Sequence, residues 1–197
     1  LVVLYAVNKE AQHSYIEIAK DKGYQVLLLD SPIIPHLIQK LESDNSGLTF
    51  VRVDSDHIDN LIKKEETAIS KLSTEEQESL KTVVETIVPK QTYTVQLEAL
   101  DSSAAPFIIT QPEFMRRMKE MSQTGGGGMF GMGNFPEMYN LVVNTNSDLA
   151  TSILNNEDKT VQENLVKQAL DLAKLSQNLL KGEALTAFVK RSFEMIK

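Results

Sequence analysis

The chain has no cysteine in its 197 residues. Disulfides and thiolate metal sites are therefore excluded, and a reducing, cytoplasmic setting is the expectation. No apolar run approaches the roughly 18 residues of a membrane span. The net charge is -7 and no long basic run appears, so nucleic acid and anionic membrane are poor partners. Several chemical signatures are missing too. There is no G-K-S or G-K-T phosphate loop, no G-x-S-x-G nucleophile elbow and no H-E-x-x-H zinc motif, and the three histidines are not at ligand spacing. The first residues, Leu1-Val2-Val3-Leu4-Tyr5, lie inside an apparent strand without a start methionine, as in a piece of a longer protein.

The apolar fraction of 42% is ordinary for a globular chain, and the length suffices for two small domains. Residues 1 to 62 alternate strand and helix. VVLYAV, Tyr24 to Leu29 and Leu48 to Val53 are apolar runs of the kind buried parallel strands use. Asn8 is placed to cap the first helix, Gly23 to stop it, and Ser31-Pro32 to open the second. A small parallel sheet covered by helices is expected. Such sheets bind ligands at their carboxyl ends, which here offer Asp30, Asp54, Asp56 and His57. A doubly wound ligand-binding or enzymatic module acting there is one functional reading. Acidic turns of this kind also serve simply as caps.

A charged, weakly periodic stretch from Lys63 to Ser73 separates this part from the next. The expected domains are residues 1–68 and 69–197. Ser73 and Glu76 form a capping box ahead of a helix striped with Leu80, Val83, Val84, Ile87 and Val88, which Pro89 ends. Thr92 to Ala99 alternates as a strand with one wet face. Pro106 to Ile109 and Tyr139 to Asn144 supply two more strands, which gives an α+β pattern.

Between those last strands lies the most unusual stretch, Thr110 to Met138. It holds six of the seven methionines and three of the seven phenylalanines. Thr110, Pro112 and Glu113 read as a helix start. Phe114, Met118 and Met121 then share one stripe, with Met115 beside it and Arg116, Arg117, Lys119 and Glu120 opposite. A Gly-rich loop carrying Met129 and Phe130 follows. An apolar stripe of this kind is either core or an adaptable binding patch, and methionine-rich surfaces suit partners of varying shape. Gly126, Gly128 and Gly131 spell G-x-G-x-x-G, but after a helix and not after a strand, so the dinucleotide reading fails its context.

The end of the chain is helical. A short helix capped by Asn146-Ser147 runs through Leu154, and a long one is expected from Thr160 to Lys181, broken by Gly182. Leu165, Ala169, Leu172, Leu175 and Leu179 line the long helix. Leu185, Phe188, Val189, Ser192 and Ile196 line the last. An αα-hairpin this apolar needs cover, either from the small sheet, from a second copy in a four-helix bundle, or from both.

This order of parts resembles the carboxyl-terminal half of the ninety-kilodalton heat-shock chaperones, in their bacterial form. GYQVLLLDSPI, AAPFIITQPEFMRRMKEM, LVKQALDLAKLSQNLL and AFVKRSFEMI carry the match. The resemblance implies a three-layer α/β/α subdomain followed by an α+β dimerisation domain, a homodimer, and binding of unfolded or partly folded clients. It assigns Phe114, Met118 and Met121 to the client surface; Ser122, where the family usually has an apolar residue, shifts that surface towards Met115, Met129 or Phe130. Ile34-Pro35 also departs from the family pattern. The resemblance implies no catalytic residue and no cofactor in this chain, with ATP and magnesium belonging to the full-length protein.

Overall fold

In the computed structural model the described residues are 1–62, 68–117 and 137–196. They divide into two compact units. One comprises the described residues within Leu1–Lys64 and Thr110–Met138; the other comprises those within Glu65–Ile109 and Tyr139–Lys197.

The first unit is built on a parallel sheet of order β2-β1-β3, made of β1 (Val2–Ala6), β2 (Leu27–Leu28) and β3 (Thr49–Arg52). Helices α1 (His13–Asp21) and α2 (Ile34–Asp44) form the crossovers, and α3 (Ile58–Leu61) follows β3. Tyr5, Phe50, Ile34 and Ile38 form one apolar cluster between the sheet and α2. Gly23 does stop α1. Its φ of 82° is a left-handed conformation cheap only for glycine, and it lets Tyr24 N–H reach the carbonyl of Ala19 at 2.9 Å.

Three local expectations need correction. Asn8 does not cap α1; its Oδ1 accepts from the amides of Glu10 and Ala11, which forms a turn before the helix, and the N-cap is Gln12. Helix α2 begins at Ile34, with Ile33 as N-cap and Pro35 in its first turn, because a proline's fixed φ suits that position. The second apolar run is a two-residue edge strand whose Leu27 and Leu28 are exposed, not a buried strand.

The second unit holds a sheet of order β4-β6-β5, from β4 (Tyr93–Glu98), β5 (Phe107–Thr110) and β6 (Tyr139–Asn144). Strands β4 and β6 run parallel, with Tyr93 opposite Tyr139 and Glu98 opposite Asn144. The last strand in sequence is thus the central one. Helix α4 (Thr74–Ile87) starts in the Ser73–Glu76 capping box, with both reciprocal hydrogen bonds present. Helix α5 begins at residue 113, and its described residues are 113–117. It is followed by α6 (Asp148–Leu154), α7 (Lys159–Ser176) and α8 (Gly182–Met195).

The core of the second unit joins the odd-numbered sheet residues Val95, Phe107, Ile109, Leu141 and Val143 to Leu80 and Val84 of α4, Ile153 of α6 and Val166, Ala169, Leu170 and Ala173 of α7. Period-two strands and 3.6-period helices meet there as their patterns require. The sheet is mixed with helices in the α+β manner. Helix α7 ends five residues before the expected Lys181. Asn178 takes a φ of 56°, and Leu179 N–H bonds the carbonyl of Lys174 at 2.9 Å. Asparagine tolerates the left-handed conformation better than other residues bearing a Cβ, so it ends the helix before Gly182 can.

Candidate functional site

The root of α5 belongs to the first unit and packs within it by its charged side. Gln111 N–H donates to the carbonyl of Asp54 at 3.1 Å, which places the start of this segment at the carboxyl end of β3. Arg116 is only 2% exposed. Its Nη2 donates to the Tyr5 hydroxyl at 2.7 Å, its guanidinium lies 5.8 Å from the centroid of the Tyr5 ring, and it pairs with Glu113. Arg117 donates from Nε to Glu113 at 2.7 Å and from Nη1 to Glu42 at 2.8 Å. Its Nη2 donates to the backbone carbonyl of Phe50 at 2.7 Å.

These contacts set the charge states. The hydrogen bond from Arg117 is the main cause that holds the Glu42 carboxyl below its ordinary range, helped by the Phe50 amide and opposed by burial. The same pairing with Glu42 pushes the Arg117 guanidinium further up, against the effect of burial.

The helix is therefore turned the opposite way from an ordinary amphipathic helix. Its arginines face protein and Phe114 is 71% exposed. Met115 is half-buried. Thr110 does not cap α5. It lies in β5, 1% exposed, and its hydroxyl has no hydrogen-bond partner among the described residues. Met118, Met121, Met129 and Phe130 lie outside the described residues.

The hairpin residues divide into two groups. Ala169 and Phe188 are buried, and Leu165, Leu179, Leu185 and Ser192 are half-buried. Leu172, Leu175, Val189 and Ile196 are exposed, as are Phe193 and Met195. Polar contacts hold α8 to α7. Gln168 Nε2 donates to Ser192 Oγ at 2.8 Å, and Arg191 reaches both Gln168 Oε1 at 2.8 Å and Asp171 at 2.6 Å. A groove of about 420 Å³ runs beside α7, lined by Phe107, Leu165, Ala169, Leu172, Ala173 and Met195 among others.

The acidic residues at the carboxyl end of β3 are engaged in local contacts. Asp54 forms a bidentate pair with Arg52, at 2.5 and 2.9 Å. Asp56 accepts from the His57 amide at 2.7 Å and from Asn60 at 3.2 Å. His57 is the N-cap of α3, accepting from Asp59 N–H on Nδ1. Asp30 is exposed. Among the described residues no three His, Asp or Glu side chains are grouped to hold a metal. Among them, too, no helix is long and apolar enough to cross a membrane.

Sequence reasoning missed a polar knot in the second unit. Asn144, fully buried, accepts from the amides of Leu100 and Asn146 and donates to the carbonyl of Asp101. Asn146 bonds Ile69, Lys71 and Leu100, and Ser70 bonds Thr145. These partners are far apart in sequence. Locally, Asn144 reads as the end of a strand and Asn146-Ser147 as a helix cap.

No family model matches the chain. Curated relatives do. The Chaperone protein HtpG of Porphyromonas gingivalis is 42% identical over 178 residues, which is 89% of this chain and 26% of the relative. The Chaperone protein HtpG of Bacteroides thetaiotaomicron is 34% identical over 263 residues, covering 100% of this chain and 38% of that protein. Its counterpart in Bacteroides fragilis strain 638R is 33% identical with the same coverage. The chain belongs to the HtpG family. It spans between 26% and 38% of the length of these HtpG relatives. The HtpG match bears out the resemblance to the bacterial ninety-kilodalton heat-shock chaperones.

Proposed function

We propose that this chain is the part of a chaperone that captures partly unfolded client proteins and joins two copies of the molecule. The observation that carries the client reading is the orientation of α5. Its charged side is engaged with Glu42, Tyr5 and Phe50, while Phe114 stays 71% exposed. A large aromatic side chain left in water at the head of a methionine-rich segment suits an adaptable apolar contact. Phe114, Met115, Met118, Met121, Met129 and Phe130 form the client surface in this reading. The chain itself performs no catalysis, and ATP and magnesium enter through the longer protein.

The second copy is supported by Leu172, Leu175, Val189, Phe193, Met195 and Ile196, which leave an apolar face on α7 and α8 in water. An isologous contact between two such hairpins would cover it in a four-helix bundle. A twofold arrangement also doubles the client patch and raises avidity.

Replacing Phe114 with Ser tests the client reading. The variant should keep the melting temperature of the parent and lose suppression of aggregation of a chemically denatured model protein. A drop in melting temperature of the size expected for a core truncation, with aggregation suppression intact, would place Phe114 in a core. Sedimentation equilibrium over a wide concentration range tests the pairing. A strict monomer would remove it.

A further inference from the structure

Strand β3 is an edge of the sheet β2-β1-β3. Thr49 N–H and Val53 N–H bond the carbonyls of Leu1 and Tyr5, so those residues face β1. The alternate residues, Phe50 and Arg52, turn their backbone groups to the open edge. An open edge of this kind invites pairing with another chain. Here it is closed by side chains. The carbonyl of Arg52 accepts from Ser55, at 3.0 Å from the amide and 2.7 Å from Oγ. The Phe50 amide donates to Glu42 Oε1 at 2.7 Å, and its carbonyl accepts from Arg117 Nη2 at 2.7 Å. Glu42 and Arg117 are bonded to each other at 2.8 Å. The three residues close a ring in which an ion pair presents one acceptor and one donor to the strand, as a neighbouring strand would.

The ring also anchors the root of α5. Arg117 reaches Phe50 and Glu42, and Arg116 beside it is buried against Tyr5; Arg116 is two residues beyond Phe114 and so on the opposite side of the helix, which leaves Phe114 outward and 71% exposed. We infer that Glu42 and Arg117 are positioning residues for client capture, holding the root of α5 against β3 with Phe114 facing solvent. This inference rests on the client reading above. Guanidinium is suited to the task because its planar fork bonds a carboxylate and a carbonyl at once, which an ammonium on a flexible stem does not.

The test uses the full chain with Arg117→Gln, and with Arg117→Lys in case the first variant folds poorly. The absence of native cysteine allows a single Phe114→Cys reporter carrying a fluorophore. Three quantities are read: amide hydrogen exchange at Phe50, anisotropy of the label, and affinity for a reduced, permanently unfolded model client measured without the label. In both variants Phe50 exchange should accelerate and label anisotropy should fall, with smaller changes for Lys. The client dissociation constant should rise about tenfold in Arg117→Gln, the scale of losing one charge-assisted hydrogen bond. Faster exchange at Phe50 with unchanged anisotropy and unchanged affinity would reduce the ring to edge protection and overturn the inference. Failure of the client reading is recognised separately. In that case Phe114→Ser in the otherwise native chain leaves client affinity unchanged, and the anisotropy of the labelled Arg117 variants alone decides whether the ring positions α5.

Discussion

The Nη2 of Arg116 donates a 2.7 Å hydrogen bond to the hydroxyl of Tyr5, a residue 111 positions earlier in the chain. Both side chains are almost wholly buried. The bond ties the root of α5 to the central strand of the first sheet. Tyr5→Phe removes the acceptor and keeps the ring that the guanidinium lies against. A buried bond to a charged group contributes about 1.5–3 kcal/mol. Urea denaturation of the first unit's transition should move by that amount, and an unchanged midpoint would show that the hydroxyl contributes nothing.

In the second unit Asn144 is the more sensitive polar position. Asn144→Ala leaves the Leu100 and Asn146 amides and the Asp101 carbonyl without their partner. Unmade buried bonds cost about 1–3 kcal/mol each before relaxation or water entry. A loss of about 3 kcal/mol or more in equilibrium unfolding is expected, which is large for an asparagine at a strand end.

Two leucines on one helix should behave oppositely. Leu170 is 4% exposed and Leu172 is 52% exposed. Leu170→Ala should destabilise the fold by about 2–5 kcal/mol. Leu172→Ala should leave thermal unfolding of dilute protein almost unchanged and weaken self-association in sedimentation equilibrium. Equal effects on both measurements for both variants would contradict the proposed second copy.

Burial is the largest cause that lowers the His57 pKa below 6.5; Lys22 adds to it, while Asp59 and Asp56 oppose it. The unfolded chain therefore binds a proton at higher pH than the folded chain. Stability from this group is fully present above about pH 6.5 and is lost as pH falls through the depressed folded value. His57→Asn keeps an acceptor for the start of α3 and removes the titration. Its stability should change less than that of the native chain between pH 7 and pH 5, as followed by thermal unfolding in a pH series.

Local rules made much of the fold legible. The Ser73–Glu76 box, the alternation of β4 and the stop at Gly23 depend on neighbours within a few residues, and each appears as its chemistry requires. The orientation of α5 does not. Binary patterning sends arginines to water, yet Arg117 finds Glu42 75 residues away and Phe50 67 residues away. No window of sequence holds both partners. The sequence left the stripe of Phe114 as either core or binding patch, and the side chains that turn Phe114 outward lie too far away in sequence to decide between them. Thr110 fails as a cap for a related reason: β5 pairing extends through it and the helix starts later.

The interleaving of the two units has a consequence for biosynthesis. The first unit draws on residues up to 64 and again from 110, and the second on residues from 65 and again from 139. A ribosome that has released residues 1–109 has therefore completed neither. The edge of β3 still lacks Arg117, and β4 and β5 still lack β6, the strand that lies between them. Both sheets close late, through partners distant in sequence, which is the arrangement that slows folding. A nascent chain of this protein carries an unfinished β3 edge until Arg117 emerges and unjoined β4 and β5 until β6 emerges, and in those intervals the open edges invite pairing with another chain.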